Sequence, residues 1–321
     1  MKKYTLFCFV LFSLAIFAQE NDFVLNTPTG DIFGTISVPQ CTHAMPLVII
    51  VAGSGPTDRN CNSPLGVNSN AYKQLSDSLL VNNIASLRYD KRGIAQSQQS
   101  GLKEGDLRFE TYINDLKLWI DTLATDKRFS GIIVVGHSEG SLIGMVAAES
   151  NPKVAAVISI AGVAVPADEI LKEQLSAQPQ MVKDMIFPAL DSLKNGKTVE
   201  NVSPMLYSLL RPSVQPYMIS WMKYNPQAEI AKLTIPILII QGTTDIQVSE
   251  NQADLLYAAN QNAKVFKVEN MNHILKICNS LDQTIQMQTY TNPELPLAEV
   301  LVTEIVKFIK LRPTTELNKN L

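Results

Sequence analysis

The stretch Gly131-Ile132-Ile133-Val134-Val135-Gly136-His137-Ser138-Glu139-Gly140-Ser141-Leu142-Ile143-Gly144-Met145-Val146-Ala147-Ala148 decides the fold. Its opening is an apolar run rich in β-branched residues, and its end has the small and aliphatic residues of a packed helix. Between them, Gly136-His137-Ser138-Glu139-Gly140 reads as a sharp turn with a serine at its tip. Glycine is needed on both sides because strand and helix backbones pass too close there for larger side chains. The serine is driven into a strained conformation with its hydroxyl exposed. The helix start aims unpaired N–H groups and a positive dipole end at any charge that develops beside that hydroxyl. The five-residue pattern is weak by itself, since a plain glycine-bounded turn can carry it. Its position between a buried-type strand and a helix gives it weight.

A serine is a poor nucleophile until a base takes its proton, and the base needs an acid to orient it. The chain has three histidines. His137 lies inside the turn, where its side chain diverges from that of Ser138, and His43 reads as a surface turn residue. His273 follows the strand-like run Ala263 to Val268, and a structural histidine is the alternative reading. The acid is expected between serine and histidine in chain order. Ile235-Pro236-Ile237-Leu238-Ile239-Ile240 reads as a parallel strand buried on both faces. Asp245 follows it, where ligand-contacting groups collect in open α/β sheets. The alternative is an N-cap for a helix starting near Ser249. The N–H of Glu139 and that of Ser54, in the loop Ala52-Gly53-Ser54-Gly55-Pro56 after the strand Pro46 to Val51, are the candidate donors for an oxyanion. A simple glycine turn is the alternative for that loop.

With these residues in place, the chain resembles the α/β-hydrolase superfamily, and within it bacterial carboxylesterases of the group that includes S33-type serine hydrolases. Two further segments carry the resemblance: Gly53-Ser54-Gly55-Pro56-Thr57-Asp58-Arg59-Asn60 and Leu87-Arg88-Tyr89-Asp90-Lys91-Arg92-Gly93. It runs from about residue 23 to 312 and is weakest over 163–230. Many relatives have histidine where this chain has Ala52, and glycine near Cys61. The resemblance implies hydrolysis of a small-molecule carboxylic ester through Ser138, His273 and Asp245 and an acyl-enzyme. An aminopeptidase or acyltransferase on the same groups, or a non-catalytic binding protein, remain alternatives. An aminopeptidase needs carboxylates to hold a free amine, for which Asp168, Glu169, Glu173 and Asp184 are candidates.

Composition sets the frame. The 321 residues, 46% hydrophobic, suffice for one large α/β domain with an inserted element. Net charge is −3 with no basic stripe, which leaves a nucleic-acid role nothing to rest on. Lys91-Arg92 and Lys127-Arg128 are isolated basic pairs, expected to be solvated or locally paired. Met1-Lys2-Lys3, the apolar run to Phe17 and Ala18-Gln19-Glu20 fit a secretory signal peptide cut after Ala18. The run is short for a membrane span. The mature chain is therefore expected to be soluble and exported, periplasmic or extracellular, without a membrane span. Cys41, Cys61 and Cys278 have no metal-ligand spacing, so no metal or cofactor is expected. A Cys41–Cys61 disulfide is open, as is the oligomeric state.

Strands alternating with helices imply a mostly parallel central sheet with right-handed crossovers, flanked by helices. Expected strands are Ile32–Val38, 46–51, 84–89, 131–135, 154–160, 235–240 and 263–268; expected helices are 71–82, 109–124, 141–148 and 297–311. Residues 163–230 break the alternation with helical apolar spacing and read as a helical cap whose methionine and aromatic side chains line an acyl pocket, with plain core the preferred reading for any single residue. The expected organisation is a signal peptide over 1–18, hydrolase core over 19–162 and 231–312, cap over 163–230, and a tail over 313–321.

Overall fold

The computed structural model describes residues 19–311. The leader expected over 1–18 and the tail from Arg312 lie outside the described residues. In chain order come β1 (Gln19–Leu25), β2 (Ile32–Val38), β3 (Met45–Val51), a two-strand ribbon of β4 (Asn62–Ser63) and β5 (Val67–Asn68), α1 (Ala71–Val81) and β6 (Ala85–Tyr89). Next are α2 (Phe109–Leu123), β7 (Phe129–His137), α3 (Glu139–Ala148) and β8 (Val154–Ile160). Five helices follow: α4 (Ala167–Gln174), α5 (Gln180–Lys194), α6 (Tyr207–Leu210), α7 (Gln215–Trp221) and α8 (Pro226–Ala231). The chain then returns as β9 (Ile237–Gly242), α9 (Asn251–Ala259), β10 (Lys264–Val268), α10 (Gln283–Tyr290) and α11 (Glu299–Lys310).

Eight strands form one sheet in the order β1-β2-β6-β3-β7-β8-β9-β10. β1, β2 and β6 pair antiparallel. From β6 to β10 every pairing is parallel. The mostly parallel α/β sheet expected from the sequence is therefore present. β7 explains its own central place: all nine of its residues are buried, as only a strand covered on both faces allows. Side chains alternate between two layers, the period of two that a strand imposes. Leu47, Ile49, Val51, Ile132 and Val134 pack in one cluster with Tyr112, Leu116, Trp119 and Ile120 of α2. Val48, Ile50, Ile133 and Val135 pack in the other, with Leu75 and Leu79 of α1 and Leu301 and Ile305 of α11.

The apolar side chains from α5 through α7, the turn before α6 included, divide into two sets. Ile186, Leu190, Leu210, Tyr217 and Met218 join the main core. Met181 and Met205 instead face solvent, at 73% and 68% exposure, and so fit neither the core nor the pocket expected of this segment. α10 leaves no helical signal in the sequence, because Gln283-Thr-Ile-Gln-Met-Gln-Thr-Tyr290 presents no apolar stripe.

Candidate active site

The turn between β7 and α3 sets the geometry. Ser138 has φ 54° and ψ −121°, a conformation that costs an L-residue energy and persists only where its surroundings over-determine it. The surroundings are tight. A Cβ on Gly136 would stand 2.3 Å from the carbonyl oxygen of Gly140, and one on Gly140 would stand 2.3 Å from that of Val51. Glycine is thus the only residue that lets α3 rest on the ends of β7 and β3. The Ser138 amide is tied to the Ile160 carbonyl at 2.9 Å. Within the fully buried run from Phe129 to Leu142, Ser138 alone is partly exposed.

Asp245 lies past β9 and His273 past β10, and the structure brings them together. His273 Nδ1 is 2.8 Å from Asp245 Oδ2, with both residues buried. The other carboxylate oxygen accepts from the amides of Gln247 at 2.8 Å and Val248 at 2.9 Å. Gln241 adds a 3.2 Å bond to Oδ2. Burial pushes the Asp245 carboxyl up, but the His273 charge, the imidazole hydrogen bond and the two amides outweigh it and hold the group below its usual range. Asp245 does not cap α9, which starts six residues on at Asn251; it organises its own turn and faces the imidazole.

The two loops are zipped to each other. The Thr244 amide donates to the Met271 carbonyl at 3.2 Å and the Asn270 amide to the Thr243 hydroxyl at 2.9 Å. A Cβ on Gly242 would come within 2.0 Å of the Met271 carbonyl oxygen, so glycine permits this approach. Among the described residues Ser138 Oγ makes no hydrogen bond, leaving the serine–imidazole contact open. Ser54 lies on the exposed loop after β3. Its neighbour Gly53 abuts the turn, with its ideal Cβ position 3.2 Å from Ser138 Cβ. Glu139 opens α3, where its N–H has no partner within the helix.

Several residues that position these groups carry no signal of that role in the sequence. His137 does diverge from Ser138, and that divergence buries it against the histidine loop. Its Nε2 is 2.8 Å from the carbonyl oxygen of His273, and its Nδ1 is 2.8 Å from the hydroxyl of Tyr72. Nε2 must donate to the carbonyl, so Nδ1 accepts from the phenol. The phenol oxygen in turn accepts from the Gly53 amide at 3.1 Å. Burial first, and then the His273 charge, push His137 down to about 3, which keeps the ring neutral. One chain of bonds therefore links the loops of Gly53, Ser138 and His273.

Lys91-Arg92 takes the paired alternative and not the solvated one, since both side chains are buried and each faces a carboxylate. Arg92 pairs with Asp115 at 2.7 Å. Lys91 Nζ donates to the Gly53 carbonyl at 2.5 Å. Asp90, between β6 and this pair, accepts from Arg59 Nη2 at 2.6 Å and from the Arg59 amide at 2.8 Å. The two segments that carried the resemblance thus hold each other. Exposed Arg128 pairs with Asp126. Cys41, Cys61 and Cys278 are free thiols, with Cys41 exposed and Cys61 buried, so the Cys41–Cys61 bridge is not formed. Among the described residues, no group of three or more His, Cys, Asp or Glu is placed to hold a metal ion, and no helix is long and apolar enough to cross a membrane.

This sheet and this strand–serine–helix turn define the class by architecture: the chain has the α/β-hydrolase fold. Residues 65–215 match the family described as serine aminopeptidase, S33. The chain is 26% identical over 270 residues to esterase EstD of Thermotoga maritima, a match that covers 80% of this chain and 60% of that relative's length. Among solved structures it is similar to Est1E from Butyrivibrio proteoclasticus, with a TM-score of 0.57 at 14% identity over 90% of this chain and 99% of the other. An esterase of Pyrococcus furiosus superposes with a TM-score of 0.58 at 14% identity, covering 92% and 91% of the two chains.

Proposed function

We propose that this protein hydrolyses small-molecule carboxylic esters, with Ser138 as nucleophile, His273 as general base and Asp245 as the acid that orients it. The observation that carries the reading is the 2.8 Å bond between His273 Nδ1 and Asp245 Oδ2, taken together with a serine held at φ 54° at the strand–helix turn. An Nδ1–H donated to Asp245 leaves Nε2 with the free lone pair. As substrate fills the site, Nε2 takes the Ser138 proton while Oγ attacks the ester carbonyl. The oxygen of the tetrahedral intermediate gains negative charge and is held by the amides of Ser54 and Glu139. The imidazolium returns its proton to the leaving alcohol, and the acyl group stays on Ser138. Water then enters, loses its proton to His273 and releases the acid. Asp245, kept anionic, stabilises the imidazolium in both halves.

Esterase EstD carries that activity in its name and supports the ester reading. The aminopeptidase alternative draws less support, because three of the four candidate amine-binding carboxylates are engaged elsewhere. Asp168 is paired with Lys194, Glu173 accepts from Ser249, and Asp184 accepts from Gln180. The apolar run in residues 1–18 supports export to the periplasm or beyond. Purified protein is expected to turn over short p-nitrophenyl esters faster than aminoacyl amides, and a fluorophosphonate is expected to label Ser138. Ser138→Ala should abolish both while thermal unfolding is unchanged. Persistent ester turnover in that variant refutes the mechanism.

A further inference from the structure

We infer that Lys91 is a positioning residue for the oxyanion hole, acting through the peptide bond between Gly53 and Ser54. The inference rests on the proposed hydrolytic reading and extends it to a group outside the three reacting side chains. A trans peptide is planar, with its C=O and N–H pointing in opposite directions. The carbonyl that Lys91 holds at 2.5 Å belongs to the same peptide as the Ser54 N–H. Holding that oxygen fixes where the hydrogen points. The cation also draws electron density toward the oxygen, which polarises the N–H at the far end of the same unit and makes it a stronger donor.

The choice of partner shows that the contact is specific. Glu139 offers Lys91 a buried carboxylate, but its Oε1 is 3.6 Å from Nζ, beyond hydrogen-bond range, and has no hydrogen-bond partner. The lysine thus spends its short bond on a neutral carbonyl. Nζ also lies 5.1 Å from the centroid of the Tyr112 ring, which favours the cation electrostatically. Gly53 is gripped from its other side by Tyr72 through its amide. With both polar groups of Gly53 engaged, the loop keeps little freedom to swing the Ser54 N–H away. Lys91 and Tyr72, from two different segments, therefore fix the strand-to-loop backbone that carries the proposed Ser54 donor, and the lysine sets its positive charge at the carbonyl end of that peptide.

The test separates transition-state from ground-state binding. Lys91→Met keeps the apolar stem and removes the donor and charge. Turnover of a p-nitrophenyl ester is measured together with the affinity for an alkyl boronic acid, which forms a tetrahedral anion on the serine. The removal of one direct oxyanion donor costs about a hundred- to a thousandfold in kcat, so loss of its support is expected to cost about ten- to a hundredfold. KM should change less than about twofold, and boronate affinity should fall by the same factor as kcat. If Lys91→Met does not fold, Lys91→Gln, which keeps a neutral amide donor, is measured the same way with the same expected split. Unchanged boronate affinity in a folded variant overturns the proposal, as does loss expressed in KM alone or failure of both variants to fold. Absence of fluorophosphonate labelling in the wild type would instead remove the hydrolytic reading beneath it.

Discussion

His137 makes the folded protein acid-sensitive through a group that takes no part in the proposed chemistry. Its ring is buried and neutral, pushed down to about 3 by burial and by the His273 charge. In the unfolded chain the same ring takes up a proton near its ordinary value of about 6.5. Between those two values the unfolded state holds one more proton than the folded state, so stability falls as pH falls. Above the upper value this histidine contributes no pH dependence. The slope within the window is about 1.4 kcal/mol per pH unit, which integrates to about 2 kcal/mol between about pH 7 and about pH 5. Replacing the ring by His137→Gln should remove that increment. It also lowers stability at neutral pH, by about 1 to 3 kcal/mol for each buried partner left without its bond. The comparison therefore concerns the slope and not the level. Urea unfolding midpoints across this range, at constant m, give the slope for both proteins. If His137→Gln loses stability with falling pH as steeply as the wild type, the ring is not held neutral and the relay from Tyr72 to His273 is wrongly assigned.

Two further outcomes follow from the geometry. Asp245→Asn can present its amide N–H to His273 Nδ1 and so favour the tautomer that cannot accept the serine proton; kcat on a p-nitrophenyl ester should drop by about a thousand- to ten-thousandfold, and a loss below tenfold contradicts the orienting role. The Cys61 thiol, pushed up to about 11 mainly by burial, should resist iodoacetamide in the native state while exposed Cys41 reacts, as read by peptide mapping; native labelling at Cys61 contradicts its packing.

The parts of the site that were legible in the sequence share one property: each is fixed by local chain geometry. Gly136 and Gly140 announce a strand–helix collision, and Asp245 and His273 each follow a strand at the end where loops gather. The rest depended on contacts between segments far apart in sequence. His137 looked idle because its side chain turns away from Ser138, and only the fold shows that it turns toward the loop 136 residues on. Lys91-Arg92 read as solvated or locally paired, and its sequence did not say which. The chain after β6 packs beneath the Gly53 loop and against Asp115 of α2, a contact that no spacing within the segment reveals. Met181 and Met205 shared the helical spacing of the buried residues, and spacing does not say how many faces of a surface helix are covered.

The loops at the carboxyl ends of parallel strands cannot continue the ladder that aligned those strands, so something else must keep them in register. Here the register comes largely from side chains bonded to the backbone of a neighbouring loop. Tyr72 and Lys91 hold the amide and carbonyl of Gly53, His137 holds the carbonyl of His273, and Gln241 holds the carbonyl of Val248 while touching Asp245. Each such bond replaces a main-chain contact that the sheet no longer supplies, and each is buried, so leaving either partner unpaired carries a desolvation cost. The cost makes the arrangement cooperative: shifting one loop would strand polar groups on the next. A serine kept in a strained conformation needs such surroundings, since nothing local to residues 136–140 would hold the strain once the neighbouring loops were free to move.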